Sequence, residues 1–582
     1  MVEKFIPVAG NRSAMEFIMT TESGIEEAAA QSTSALGPLV GIAREDFIEA
    51  YALLLRSVVT KPGAFANLCK SIGIETAKIL TGKSKFEPNP KDKRFHDPAW
   101  RTSPIYRATL QYYLAVQENV QTWLDDLELK ELERNRASFM ARFLLDGLAP
   151  TNTLIGNPTA IKRLVDSGGG SLIKGIRNAY QDIVNNRGLV SLVDKRSFKL
   201  GENIATSKGA VVYRTEMFEL IQYSPTTERV RAIPQVTIPP QINKMYIHDL
   251  APDKSVVKYQ LDHGIQTFVI SWRNPSKEQG VWNLENYVNC CEQAMQVAAK
   301  ITGSKRVNIS AGCSGGQTAA VLASKLAADR SDLLGALTLM VCVLHPDQLD
   351  TEAGSLVSDN GKQLMRNRAV RAGVITADEL TRGFAFLRPN DLIWNYVVNN
   401  YLMGDDPPAY DLLFWNSDAT NLSASLMGDF LTLFETLAFT KKGEVEAAGH
   451  MIDLSKVTSD LFILGGATDH ITPWKATYRS TQLFGSEDIT FVLSQSGHMQ
   501  AILNPPDNPR ARYFIQEKGG ILPETADDWL EGAQQRDESW WPLWIDWLAS
   551  RSGEEKLAPM DLGNREFRPS DPAPGLNVIE ER

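Results

Sequence analysis

The segment RVNISAGCSGGQT, residues 306–318, decides how the rest of the chain is read. A short β-rich run, a turn of small residues and the start of a helix follow one another within thirteen residues. That order is the pattern of a nucleophile elbow, where a strained backbone presents one reactive side chain beyond the end of a strand. Small neighbours are needed because the flanks of such a turn pack closely. Two registers are open. Gly312-Cys313-Ser314-Gly315-Gly316 fits G-x-S-x-G with Ser314 as nucleophile; a shift by one puts Cys313 at the apex. Strand alternation favours Cys313, because Val307 and Ile309 then point inward, whereas the Ser314 register sends Asn308 and Ser310 there. The Cys313 register also sets Gly315 and Gly316 where the helix must approach the strand, and accepts Ala311 where glycine is commonest. The plain alternative is a buried, inert cysteine beside a flexible turn.

A nucleophile needs a base and an orienting acid, which in this architecture follow in the chain order nucleophile, acid, histidine. Asp469 lies after the strand-like run Leu461–Leu464, and His498 after Ile489–Leu493. Asp469 is 156 residues beyond Cys313 and His498 a further 29, and the long first gap fits an insertion before the acid. His470, next to Asp469, is the rival base, with a supporting hydrogen-bonding role otherwise. The other five histidines show no metal-ligand spacing with one another or with cysteine, so no metal site is expected. The GlyGlyGly run at 168–170 reads as a turn rather than a phosphate loop.

Outward from these motifs the chain divides. Residues 1–200 read as a helical N-terminal domain. Phe47, Tyr51, Leu54 and Val58 recur at helical spacing, and a stretch of roughly Ser103 to Leu145 carries Tyr106, Leu110, Tyr113, Val116, Val120 and Trp123 likewise. Residues 201–582 alternate strand and helix patterns. The strands are Ala210–Tyr213, Val236–Ile238, Thr267–Ser271, Val307–Ser310, Leu337–Val343, Leu461–Leu464 and Ile489–Leu493, and helical patterns include Glu285–Ile301 and Gln317–Ala328. This predicts an α/β-hydrolase fold: a doubly wound, mainly parallel sheet, with a cap inserted over about 345–450. Trp540, Trp541, Trp544 and Trp547 read as packing on the core.

Composition excludes several classes. Sixty Lys+Arg against seventy Asp+Glu give a net charge of −10, and no dense basic run argues for nucleic acid. The most apolar charge-free run, Leu333–Leu344, has twelve residues, too few to span a bilayer. Five cysteines and no secretory signal point to reduced thiols in the cytoplasm. A cysteine at the apex also tilts the chemistry. Attack of a thiol on a thioester exchanges like for like, so acyl transfer from coenzyme A is nearly thermoneutral. Cysteine hydrolases on this fold keep the alternative open.

CSGGQT (313–318), DHITPW (469–474), SGHMQAILNPP (496–506) and SWWPLW (539–544) resemble the polyhydroxyalkanoate synthases. So do PPQINK (239–244), FVISWRNP (268–275) and RPNDLIWN (388–395). The closing region and DHITPW are most similar to the class II, medium-chain-length group; Ala311-Gly312 before the cysteine and LHPD at 344–347 depart from it. The resemblance implies that His498 deprotonates Cys313, which attacks an (R)-3-hydroxyacyl-CoA and expels coenzyme A as a product, with no bound cofactor. It implies oxyanion donors at Ser314 and in the Ile242–Asn243 turn. Asp469 either orients His498 or helps activate the 3-hydroxyl of the next unit. It further implies a growing polyester chain, association with cytoplasmic polyester granules, and a homodimer served by the N-terminal region. A thioesterase or depolymerase, and a silent granule-coat protein with a relic triad, are the competing readings.

Overall fold

The computed structural model describes residues 44–90, 92–347, 358–381, 389–516 and 522–580. The first 43 residues of the expected helical region, and Arg388 of the RPNDLIWN motif, lie outside the described residues.

The N-terminal part contains helices α1 (Arg44–Thr60), α2 (Pro62–Leu80), α3 (Pro104–Asp125), α4 (Glu131–Gly147), α5 (Pro158–Asp166) and α6 (Gly170–Asn185). The stretch expected from Ser103 to Leu145 is two helices, not one. Breaking it between α3 and α4 lets the chain double back, so that Trp123, Leu124 and Leu127 pack with Ala137 and Ala141. Leu54 and Val58 of α1 pack against that cluster, while Tyr51 of the same stripe is exposed. Asn157 caps α5 by accepting from the N–H groups of Thr159 and Ala160. Gly168 and Gly169, with φ of +58° and +90°, turn the chain from α5 into α6.

A ten-stranded sheet follows: β1 (Gly209–Arg214), β2 (Phe218–Tyr223), β3 (Gln235–Ile238), β4 (Thr267–Trp272), β5 (Val307–Gly312), β6 (Leu334–Met340), β7 (Leu461–Gly466), β8 (Ile489–Ser494), β9 (Tyr513–Ile515) and β10 (Gln534–Arg536). Their spatial order is β1-β2-β4-β3-β5-β6-β7-β8-β9-β10, and the six strands from β4 to β8 run parallel. Helices α7 (Leu284–Thr302) and α8 (Cys313–Ala328) pack on one face. On the other, α11 (Trp541–Ala549) and its N-cap Trp540 bury all four tryptophans of the closing region against Phe462, Leu464 and Val492.

Because both faces are covered, alternate residues of one strand feed two different cores. Leu337, Leu339 and Ile463 join the first, Ala336, Met340 and Phe462 the second. This overturns the alternation argument at the elbow. Asn308 and Ser310 are as buried as Val307 and Ile309; Asn308 bonds Ser552 and the N–H of Ala336, and Ser310 bonds Thr237. Alternation therefore cannot choose between Cys313 and Ser314.

The chain leaves the sheet after β6 and returns at β7. The run expected to 343 stops at Met340, and Val341 turns away with φ of +44°. Between them stand α9 (Asp359–Ala372), π-helical turns over 390–402, and α10 (Ala424–Glu435). Val374–Ile375 pairs with Leu422–Ser423 as a two-stranded clip. No described helix is long and apolar enough to cross a membrane.

Candidate active site

The elbow forms where β5 meets α8. Gly312 ends the strand in extended conformation, and Cys313 takes φ of +51°, which costs a non-glycine residue roughly 1–3 kcal/mol. Two close approaches hold it. A Cβ on Gly315 would lie 2.5 Å from the carbonyl oxygen of Ile238, and one on Gly316 would lie 2.6 Å from Cys342 Sγ. The helix can begin this close to β3 and to the start of the cap only with glycine at both positions.

Ser314 sits one residue past the strained apex, and its hydroxyl donates to Gln241 Oε1 at 2.9 Å. The other cysteines are placed differently. Burial pushes the thiols of Cys291 and Cys342 well above the ordinary range and that of Cys290 up to about 12, while Cys69 is exposed on α2. These three buried thiols stay protonated at neutral pH.

The loops after β7 and β8 bring Asp469 and His498 to Cys313. Asp469 Oδ1 accepts from the N–H groups of Ile471 at 2.8 Å and Thr472 at 2.9 Å, and Oδ2 accepts from the Thr472 hydroxyl at 2.6 Å. His498 Nδ1 lies 2.6 Å from Asp469 Oδ2, and the ring is coupled electrostatically to the Cys313 sulfur. With Nδ1 engaged by the carboxylate, Nε2 is the nitrogen left for the thiol. Burial pushes the His498 ring toward neutrality, but Asp469 and the Cys313 sulfur outweigh it and lift its pKa to about 10. Burial pushes Asp469 the other way, yet His498 and the Thr472 hydrogen bonds hold its carboxyl below the usual carboxylate range. The site is thus built to hold a proton on the imidazole. Of the two candidate bases, the His498 ring is the one seen 2.6 Å from Asp469, and His470 adjoins that carboxylate in the chain.

Ile242 and Asn243 lie just beyond β3, next to the elbow. Two residues that the sequence did not single out fix them. Gln241, itself buried, donates to Thr318 Oγ1 at 2.9 Å while accepting from Ser314, which ties the loop to the first turns of α8. Thr420 from the cap donates its N–H to the Ile242 carbonyl at 3.1 Å and its hydroxyl to the Gln241 carbonyl at 2.9 Å, beside a bridge between Asn243 and Ala419. A glutamine after two prolines and a threonine in a loop have no periodicity to mark them. Gln241→Ala is expected to lower kcat by about tenfold with KM within twofold, less than the 10²–10³ cost of deleting an oxyanion donor itself. Steady-state kinetics check this, and a change confined to KM would contradict it.

The tryptophans do more than fill space. Trp540 and Trp541 donate their indole N–H groups to the carbonyls of Ala501 and Ile502, at 2.8 and 2.9 Å. These carbonyls end the short helix His498–Ile502, so the start of α11 anchors the element that carries the imidazole.

Residues 91–260 match a family model described as the N-terminus of poly-beta-hydroxybutyrate polymerase (PhaC), and residues 248–505 one for the alpha/beta hydrolase fold. Among curated proteins, the chain is 43% identical to poly(3-hydroxyalkanoate) polymerase 1 of Ectopseudomonas oleovorans, over 96% of this chain and 98% of that protein. It is 40% identical to polymerase 2 of the same organism, over 94% and 97%, and 36% identical to the polymerase subunit PhaC of Cupriavidus necator, over 86% and 85%. A monoacylglycerol lipase structure from Paleococcus ferrophilus aligns over 56% of this chain and 97% of its own, at 12% identity and a TM-score of 0.31. Identity of this extent spans the N-terminal helices, the sheet and the cap alike, and the chain belongs to the poly(3-hydroxyalkanoate) polymerase family.

Proposed function

We propose that the chain is a polymerising acyltransferase that joins (R)-3-hydroxyacyl units from coenzyme A thioesters into polyester through an acyl group on Cys313. The observation that carries this reading is the strained Cys313 coupled electrostatically to His498, whose Nδ1 lies 2.6 Å from Asp469.

The Cys313 proton passes to His498, and the thiolate attacks the thioester carbonyl carbon. The N–H of Ser314 and a donor from the Ile242–Asn243 turn hold the oxyanion. Collapse expels the coenzyme A thiolate, which takes the proton from His498 and leaves as product; the scheme uses no resident cofactor. His498 then accepts the proton of a 3-hydroxyl as its oxygen attacks the acyl-Cys313 carbonyl. An ester forms, and the sulfur leaves with the proton restored to it. The short Asp469–His498 bond, with both oxygens of Asp469 engaged, favours the orienting role for Asp469 over direct action on the hydroxyl.

A second part of the reading concerns where the enzyme works. Ile173, Ile176, Tyr180, Ile183 and Val184 are exposed on one face of α6, a stripe suited to the apolar surface of a polyester granule in the cytoplasm. The N-terminal helices also serve a homodimer in this reading.

The test is product analysis with 3-hydroxyacyl-CoA. Coenzyme A release should match polyester formed unit for unit, and Ile176→Lys/Tyr180→Lys should shift the enzyme from granule to soluble fraction. Free 3-hydroxy acid without polymer would mark a hydrolase instead.

A further inference from the structure

A cavity of about 1070 Å³ lies between α6, the segment after it, and the cap, and no triad residue lines it. Its size is at the upper end of ligand clefts and suits a large occupant. Five cations line it, Lys174, Arg177, Arg187, Lys195 and Arg196, in a chain of net charge −10. Three are engaged: Lys174 with Asp406 at 3.1 Å, Arg196 with Asp194 at 2.8 Å, and Arg187 with Asp378. A further wall carboxylate, Asp182, is buried and taken up by Tyr401 and Ser191. Arg177 and Lys195 have no ionic partner among the described residues.

The wall also includes Ser417, two residues before Ala419, which bridges to Asn243 beside the elbow. Two residues of chain span at most about 7 Å. One cap segment therefore runs from the cavity wall to the loop beside the elbow.

We propose that this cavity binds the nucleotide end of the thioester substrate. Arg177 and Lys195 meet its phosphates, and the pantetheine arm passes Ser417 toward Cys313. The inference rests on the acyl-CoA reading above. That end of coenzyme A carries a diphosphate and a ribose 3′-phosphate, which call for an arginine fork and a lysine point charge. Leu189, Leu192 and Ile393 supply apolar wall for the adenine. Both free cations are exposed, so their contribution is screened by salt.

The experiment compares kcat/KM for a 3-hydroxyacyl-CoA with that for the same acyl group on N-acetylcysteamine, which lacks the nucleotide. In R177E/K195E the ratio of full to truncated substrate should fall at least tenfold, and the dependence on ionic strength should flatten. A ratio changed less than threefold overturns the assignment. Calorimetry of free coenzyme A, with and without R177E/K195E on a Cys313→Ala background, reads the cavity without chemistry. Affinity weakened at least tenfold supports the site, and equal affinity overturns it. Coenzyme A binding that depends on these cations in a wild-type protein without turnover would count against the acyltransfer reading alone.

Discussion

Cys313→Ala should lower coenzyme A release from 3-hydroxyacyl-CoA by about 10⁴–10⁶-fold and abolish the acyl adduct seen by intact-protein mass spectrometry. The expected loss is this large because the nucleophile and its base act as one unit, and removing either leaves only binding and oxyanion stabilisation. The three buried cysteines are held protonated and cannot substitute. Cys313→Ser sharpens the test. The Ser314 hydroxyl is engaged by Gln241, one residue past the strained apex. If Ser314 were the nucleophile, Cys313→Ser would leave turnover nearly intact; with Cys313 in that role, it should fall by orders of magnitude. Persistent polymerisation by Cys313→Ala would overturn the assignment.

The second large effect is expected at Asp469. Asp469→Asn should cost about 10³–10⁴ in kcat, since the ring loses the partner that orients it. The pH profile separates this from misfolding. In the wild type the imidazolium persists until about pH 10, so activity should hold through neutral pH and decline as pH rises through that value. Without the carboxylate the His498 pKa drops, and the alkaline decline moves to lower pH. Stability follows the same linkage. The folded pKa of His498 lies above its unfolded value near 6.5, so its stabilisation is complete below that pH and is lost as pH rises through about 10. Asp469 is held below 3.8, so its contribution is present above that value and disappears as pH falls through the depressed pKa. Denaturation across this range reads both. An unmoved alkaline limb in Asp469→Asn would mean that the pair does not set the proton's place.

Most of the architecture was legible because strand–helix alternation and strand-end placement are local signals. The elbow pattern, strand-end placement and chain order together pointed to Cys313, Asp469 and His498. What escaped has physical reasons. Strand β2 reads FELIQY, with Glu219 and Gln222 buried inside it, so its run looked too polar for a core strand. Glu219 is tolerated there because Arg214 pairs with it across the β1–β2 hairpin at 2.6 Å. Strands β9 and β10 are three residues each, too short to show a period. The parity argument at Val307 and Ile309 failed because it assumed one dry face where the sheet has two. Gln241 and Thr420 escaped because they are 179 residues apart and their hydrogen bonds to each other and to the elbow exist only once the chain is folded.

The cap departs from β6 and returns on β7, and these strands are adjacent and parallel, with Leu337 opposite Leu461. Its two roots, Met340 and Leu461, are therefore held about 11 Å apart by the sheet itself, three residues along the strands and one strand spacing across. Whatever length or sequence fills that excursion, the stubs on which it is mounted do not move, and the nucleophile and imidazole keep their spacing. Natural variation in this module can reshape what the enzyme admits while leaving how it reacts untouched, like a tool head exchanged on a fixed collar.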